Sequence, residues 1–255
     1  MGVVNVTPDS FSDGGRFFDP RAAVAHARRL AEDGADLIDI GGESSRPGAA
    51  PVSEEEELQR ILPVLRELNG LEKPISVDTR RPSVMKAALA AGASMINDIE
   101  ALAAPGAAAT LAASGCAVCL MHKKGEPATM QRDPHYDDVV GEVKAFLAER
   151  AGAALAAGIA AERIVVDPGF GFGKTAAHNL ALLKRLGELS ELPLLVGLSR
   201  KSTLGKLTGR PVEERLAGSL AMALLALLGG AKILRVHDVR ETRDVVRVWE
   251  AYQQA

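Results

Sequence analysis

The stretch VVDPGFGFGKTAAHN, residues 165–179, holds the unit from which the fold is read. An apolar run ends in an acid, passes through a glycine loop and enters a helix-forming segment. Its Gly173-Lys174-Thr175 end invites a P-loop reading, which requires G-x-x-x-x-G-K-[ST]. The leading glycine would then stand at 168, and that position is Pro168. Proline has no N–H to offer a phosphate and fixes its own φ. The dinucleotide fingerprint G-x-G-x-x-G fails too, because Gly169, Gly171 and Gly173 step by two. What survives is a buried strand with an acid at its exit, a common place for chemistry in parallel α/β proteins.

Outward from this stretch, the same pattern recurs along the chain. The apolar runs are VVNV (3–6), DLIDIGG (36–42), PISVDT (74–79), SMINDI (94–99), AVCLMH (117–122), RIVVDPG (163–169), PLLVGLS (193–199) and KILRVH (232–237). Most barely alternate, as strands covered on both faces do. Dividing 255 residues among eight runs gives about 32 each, the size of a βα unit. Helices are expected between them. Asp19-Pro20 opens one that Gly34 closes. Ser53 and Glu56 form a capping box, with Gly70 at the far end. Further helices are expected near 82–91, 106–114, 138–157, 176–187, 217–229 and 240–253, the last with Val245, Val248, Trp249 and Tyr252 on one side. Pro63, inside LQRILPVLREL, is the one discordant residue, because it removes an interior hydrogen bond. Eight strands alternating with eight helices predict a single-domain (β/α)8 TIM barrel spanning 1–255, with an open doubly wound sheet as the rival.

Composition agrees with a sizeable core: 47% hydrophobic and 25% charged residues. A net charge of −3 argues against a nucleic-acid partner. No run of about 18 apolar residues predicts a membrane span, and no signal peptide is read ahead of the first motif. Cys116 and Cys119 are spaced C-x-x-C, but no second pair exists to complete a zinc site. Residues three apart in a strand face opposite ways, so both read as small apolar residues in a reducing cytoplasm.

In a TIM barrel the active site lies at the C-terminal ends of the strands. Those ends carry Asn5 and Thr7, then Glu43, Ser44, Ser45 and Arg46, then Asp78-Thr79-Arg80, Asn97-Asp98, His122, Asp167, Ser199-Arg200-Lys201-Ser202, and Arg235 with His237. Any one of them reads as a cap or a turn residue. A polar group at every exit, on the same end, is harder to explain by capping alone. Arg46, Arg200, Lys201, Arg235 and His237 suit a phosphate. Asp78, Asp167, Asn5 and Asn97 suit a heterocycle edge with two N–H donors. Asn5 and Asp9 are also placed to help hold Mg2+.

The sequence resembles the dihydropteroate synthases along nearly its whole length. The resemblance rests on NVTPDSFSDGG (5–15), GGESSRPGA (41–49), VDTRRP (77–82), MINDI (95–99), PATMQ (127–131), DPGFGFGK (167–174), GLSRKS (197–202) and RVHDV (235–239). It implies condensation of 6-hydroxymethyl-7,8-dihydropterin pyrophosphate with 4-aminobenzoate in folate synthesis. It assigns dihydropterin binding to Asp78, Asn97, Met121, Asp167, Phe172 and Lys201, with Asp167 as a bidentate acceptor. It assigns the pyrophosphate to Asn5, Arg46, Arg235 and His237, and Mg2+ to Asn5. The aminobenzoate pocket falls to Ser45, Pro47, Phe172, Lys201 and Ser202. Asp78, Lys201, Arg46 and Asn5 are expected to carry the chemistry. The family is the sulfonamide target and is usually homodimeric, which the apolar side of the last helix fits. The loops near 8–19 and 43–52 are expected to close over the site and exclude water.

Three departures from the family pattern stand out. Ser44-Ser45-Arg46 replaces Ser-Thr-Arg, a loss of one methyl. Lys123-Lys124-Gly125 replaces Met-Gln-Gly, leaving two lysines either solvated or weakly attractive to an anion. Strand 1 starts at Val3, whereas the family carries a further segment ahead of it over the barrel floor, so this strand is expected to be less well supported. The rival functions are a methyltetrahydrofolate-binding barrel serving a corrinoid, a pterin-binding protein without turnover, and a P-loop hydrolase. The first has no need of the SRKS and RVH cations, and the intact Lys201, Arg46 and His237 argue against the second.

Overall fold

The computed structural model describes residues 1–7, 20–44, 51–126 and 129–255. Asp9, Ser45, Arg46, Pro47 and most of the two Gly/Ser/Pro-rich loops fall outside the described residues.

Six strands form one parallel sheet in sequence order: β1 (Gly2–Asn5), β2 (Ile38–Gly41), β3 (Ile75–Asp78), β4 (Met95–Asp98), β5 (Ala117–Met121) and β6 (Ile164–Asp167). β7 (Leu195–Val196) pairs with β8 (Ile233–Leu234). Parallel bridges join Val166 to Leu194 and Gly2 to Val236, so the ring closes. The amide of Val3 donates to Val236 O at 3.1 Å, and that of Val236 to Met1 O at 2.9 Å. The chain is therefore a closed barrel, not an open sheet. β7 and β8 are shorter than the apolar runs that announced them. Gly197 and Arg235 lie just beyond their ends, where the chain opens towards the site.

Each strand is followed by a helix: α1 (Pro20–Glu32), α2 (Glu54–Glu67), α3 (Pro82–Ala90), α4 (Ala107–Ala112), α5 (Val139–Ala156), α6 (Ala176–Lys184), α7 (Ser202–Thr208) with α8 (Leu216–Leu228), and α9 (Val239–Gln254). α7 is an additional short helix that the apolar pattern did not announce. α2 runs through Pro63 unbroken. Of the capping box at its start only half forms. Ser53 Oγ accepts from the Glu56 amide at 3.1 Å, but Glu56 Oε1 is drawn instead to Arg60 at 2.5 Å.

Strand alternation divides the core in two. Ile38, Ile40, Val77, Ile96, Val118, Leu120, Ile164 and Val166 face outward and are buried beneath the helices. Each such side chain contributes about 1.5–3 kcal/mol. Inside, Met95, Cys119 and Leu195 fill the lower barrel, ringed by Met1, Leu37, Ala117, Val165 and Ile233. Cys116 packs in the outer core instead, so the two cysteines do lie on opposite faces, and both are free thiols. No described helix is long and apolar enough to cross a membrane.

Candidate active site

Above the apolar plug the inward positions turn polar. Asp39, on β2, is fully buried, and its Oδ2 accepts from Arg235 Nε at 2.6 Å. The same guanidinium donates through Nη2 to Asp78 Oδ2 at 3.1 Å, and Asn97 Nδ2 reaches Asp39 Oδ2 at 3.4 Å. Arg235 thus spans the barrel between two acids, and although burial works to lower its pKa, the charges of Asp39 and Asp78 raise it. Asp78 is pushed up to about 7, first by desolvation and then by Asp39, against the pull of Arg235. The shared cation is too far committed to Asp39 to hold Asp78 fully ionised. Asp39 Oδ1, Ser76 Oγ and Asn97 Oδ1 are buried with no hydrogen-bond partner. Such groups are costly in an interior built only for packing.

The exit of β6 is the second half of the site. Asp167 is 5% exposed; its Oδ1 accepts from the Gly169 amide at 2.7 Å, and burial raises its pKa. Lys201 Nζ donates to the carbonyl of Phe170 and lies 4.6 Å from the centre of the Phe172 ring. Desolvation lowers the Lys201 amine to about 8, against the attraction of Asp167. Met121, directly opposite Asp167 across the β5–β6 pair, is buried. The three glycines have φ of +65°, +81° and +63°. A Cβ at 169 would overlap the carbonyl oxygen of His122, and one at 173 that of Lys124. The glycines therefore let two backbones touch; no phosphate is needed to explain them. Lys174 points inward, 2% exposed, and Thr175 caps α6 in a reciprocal box with His178.

At the rim, His237 Nδ1 and Ser199 Oγ are 3.0 Å apart. Arg200 is turned aside by Asp238, its Nε 3.0 Å from Oδ2, and holds a left-handed φ of +58°. Ser202 is exposed at the start of α7, and Asn5 is half-buried at the end of β1. Arg80 and Arg81 are taken up by carboxylates. Arg80 bridges Glu43 and Glu100, and Arg81 ties Glu43, Glu57 and the Val52 carbonyl at the base of the second loop.

Of the two lysines that could be solvated, Lys123 is largely covered and pairs with Glu100 at 3.2 Å, whereas Lys124 is exposed and pairs with Glu142 at 2.9 Å while lying 4.1 Å from the centre of the Tyr136 ring. On the last helix Val245, Val248, Trp249 and Tyr252 follow the i, i+3, i+4, i+7 spacing of one side, but that side is only partly covered: Val245 and Trp249 pack against the core, whereas Val248 and Tyr252 are 69% and 70% exposed. The sequence reading also passed over three buried residues: Asp39, Lys174 and Asn179. Strand alternation alone puts Asp39 on the inner face between Ile38 and Ile40. Asn179 Oδ1 accepts from the Gly171 amide at 2.9 Å, across eight residues of loop and helix, and no local pattern announces it.

The sequence matches the family described as pterin binding enzyme over residues 1–237. It is 52% identical to the dihydropteroate synthase of Escherichia coli (strain K12) over 254 residues, covering 98% of this chain and 90% of that protein. A solved dihydropteroate synthase of Xanthomonas albilineans with 4-aminobenzoic acid superposes with a TM-score of 0.94 at 55% identity, covering 100% of this chain and 93% of that one. The Burkholderia cenocepacia dihydropteroate synthase complexed with 7,8-dihydropteroate gives a TM-score of 0.90 at 48% identity, over 100% and 91% of the two chains. With its barrel, its polar interior and this extent of identity, the chain belongs to the dihydropteroate synthase family of pterin-binding enzymes.

Proposed function

We propose that this chain condenses 6-hydroxymethyl-7,8-dihydropterin pyrophosphate with 4-aminobenzoate, releasing pyrophosphate and forming 7,8-dihydropteroate. The observation that carries the reading is the acid–amide set inside the barrel, Asp78, Asn97 and Asp167, beside the cations Lys201 and Arg235. Asp167 keeps acceptor capacity beyond its bond to Gly169, enough for a fork onto two ring N–H groups. Asn97 offers an unpaired buried carbonyl oxygen to the same head group. Met121 and Phe172 supply apolar contact, and Lys201 and Ser202 serve the aminobenzoate, a role the family resemblance also gives to Ser45 and Pro47. Asn5, Arg46, Arg235 and His237 receive the pyrophosphate.

The C–O bond breaks as negative charge collects on the departing pyrophosphate and positive charge on the pterin methylene. Asp78 stabilises the second, the cations the first. The aryl amine is neutral at pH 7 and needs no strong base. Among the described residues no group of three His, Cys, Asp or Glu side chains could hold a metal ion. The donors fit Mg2+ all the same, because that ion takes one or two protein oxygens and completes its shell with phosphate and water. Asn5 would hold it, and it would supply charge neutralisation on the diphosphate. We also read residues 1–255 as one domain, in the cytoplasm, where two free cysteines persist. The chain pairs as a homodimer through α8 and α9, whose Leu224, Leu225, Leu228, Val248 and Tyr252 are exposed.

The test is turnover. Pyrophosphate release should require the dihydropterin pyrophosphate, aminobenzoate and Mg2+ together. Lys201→Ala should raise KM for the pterin substrate by about 10-fold or more, the scale of a lost charged hydrogen bond. Release of phosphate from ATP, or product formation unchanged in Lys201→Ala and Asp78→Asn, would overturn the reading.

A further inference from the structure

The loop from Gly169 to Phe172 is gripped at every peptide. Its carbonyls are taken in turn by Lys174 (Gly169, 3.0 Å), Lys201 (Phe170), Gln131 (Gly171) and Lys174 again (Phe172, 3.1 Å). Its amides are held at Gly169 by Asp167 and at Gly171 by Asn179. Lys201 approaches from the substrate side. Lys174 approaches from behind, buried in a knot that also contains the exit of β5.

The third partner of Lys174 is His122 Nδ1, at 2.8 Å. His122 is 4% exposed and wedged edge-on against Phe146, with ring centres 4.9 Å apart. Among the described residues no carboxylate bonds the Lys174 ammonium; Asp167 acts on it only across space, and Lys201 opposes it. A buried lysine with carbonyls and an imidazole for partners is an expensive arrangement in a wall that packing alone could fill. Burial lowers the Lys174 amine to about 7 and His122 to about 3. The imidazole is thus neutral and free to accept through Nδ1, and the amine retains N–H donors for both carbonyls in either protonation state.

We propose that Lys174 is a positioning residue for the pterin end of the reaction: it fixes the Gly169–Phe172 loop against the exit of β5, and through that loop sets Asp167, Phe172 and the Phe170 carbonyl that holds Lys201. The inference rests on the function proposed above. Lys174 touches no substrate in this role; it acts through the loop. The alternation Gly-Phe-Gly-Phe-Gly supports it, since left-handed glycines let successive carbonyls reach partners on both sides of the loop.

The experiment is calorimetric titration of the dihydropterin pyrophosphate into the full chain as wild type, Lys174→Met, His122→Phe and Asp167→Asn, each checked by circular dichroism melting. Lys174→Met keeps the length and apolar stem and removes the donors. The expected result is a Kd about 10-fold or more weaker in folded Lys174→Met with one-site stoichiometry, and a smaller weakening in His122→Phe. Steady-state kinetics should show the same rise in pterin KM with a lesser change in kcat. A lower melting temperature with unchanged Kd and KM would make Lys174 merely structural and overturn the inference. If Lys174→Met is unfolded at the assay temperature, His122→Phe decides: weakened binding supports the inference, and wild-type binding overturns it. Failure of the wild type to bind, or full binding by Asp167→Asn, would instead overturn the proposed function.

Discussion

With the roles proposed for them, Asp78 and Lys201 are expected to set the working pH from opposite sides. In the proposed mechanism Asp78 stabilises the methylene cation only as a carboxylate, and its pKa is raised to about 7 because burial and Asp39 outweigh Arg235. In the same proposal Lys201 serves an anionic partner only as an ammonium, and burial lowers it to about 8. Below about 7 the acid gains its proton; above about 8 the amine loses one. The kcat/KM for the pterin substrate, which reports free-enzyme groups, is therefore expected to be bell-shaped with limbs near those values. Asp78→Asn should abolish the acid limb and keep the alkaline one. An acid limb that survives in Asp78→Asn would assign it to another group, with Asp98, raised to about 6, the next to examine. Asp98 itself faces away from the barrel interior and ties the amides of Glu100 and Leu102, at 2.8 Å each, where Ala101 and Leu102 take left-handed φ. That is the ordinary turn role any acid at a strand exit can have.

At the scale of elements, the strands were legible because outward Ile and Val repeat eight times, and the site because polar residues follow each repeat. What the sequence left obscure has one cause: long-range contact. Nothing local to Lys174 says that its ammonium turns in towards His122, 52 residues earlier. Nothing local to Arg235 says that it reaches Asp39, 196 residues earlier. The short strands β7 and β8 were over-read because their apolar runs continue past the last ladder bond. The glycine loop was read as substrate-binding, yet its glycines answer first to the backbone of the β5 exit. Gly169→Ala is accordingly expected to destabilise the fold by about 3 kcal/mol or more, summing left-handed strain and overlap with His122 O. Chemical denaturation measures this directly. A change under 1 kcal/mol would show that the two exits are not in contact, contrary to the geometry above.

At the scale of the whole molecule, the proposed chemistry lies at one end of the barrel and the proposed association on its flank. α8 packs on α9, and together they expose a leucine-rich face. Sedimentation at micromolar concentration is expected to give a dimer for the wild type and a monomer for the paired substitution Leu225→Glu and Leu228→Glu, with the melting temperature of the monomer lowered. A wild-type monomer would leave that face without the assigned partner. Within the barrel, every proposed role depends on one placement, the flat head group lying among β4, β6 and the start of α7. A crystal structure with bound dihydropterin measures that placement most directly. The expected density has the ring edge within about 3 Å of Asp167 and Asn97, with Lys201 alongside. A pterin bound anywhere else on the chain would contradict it.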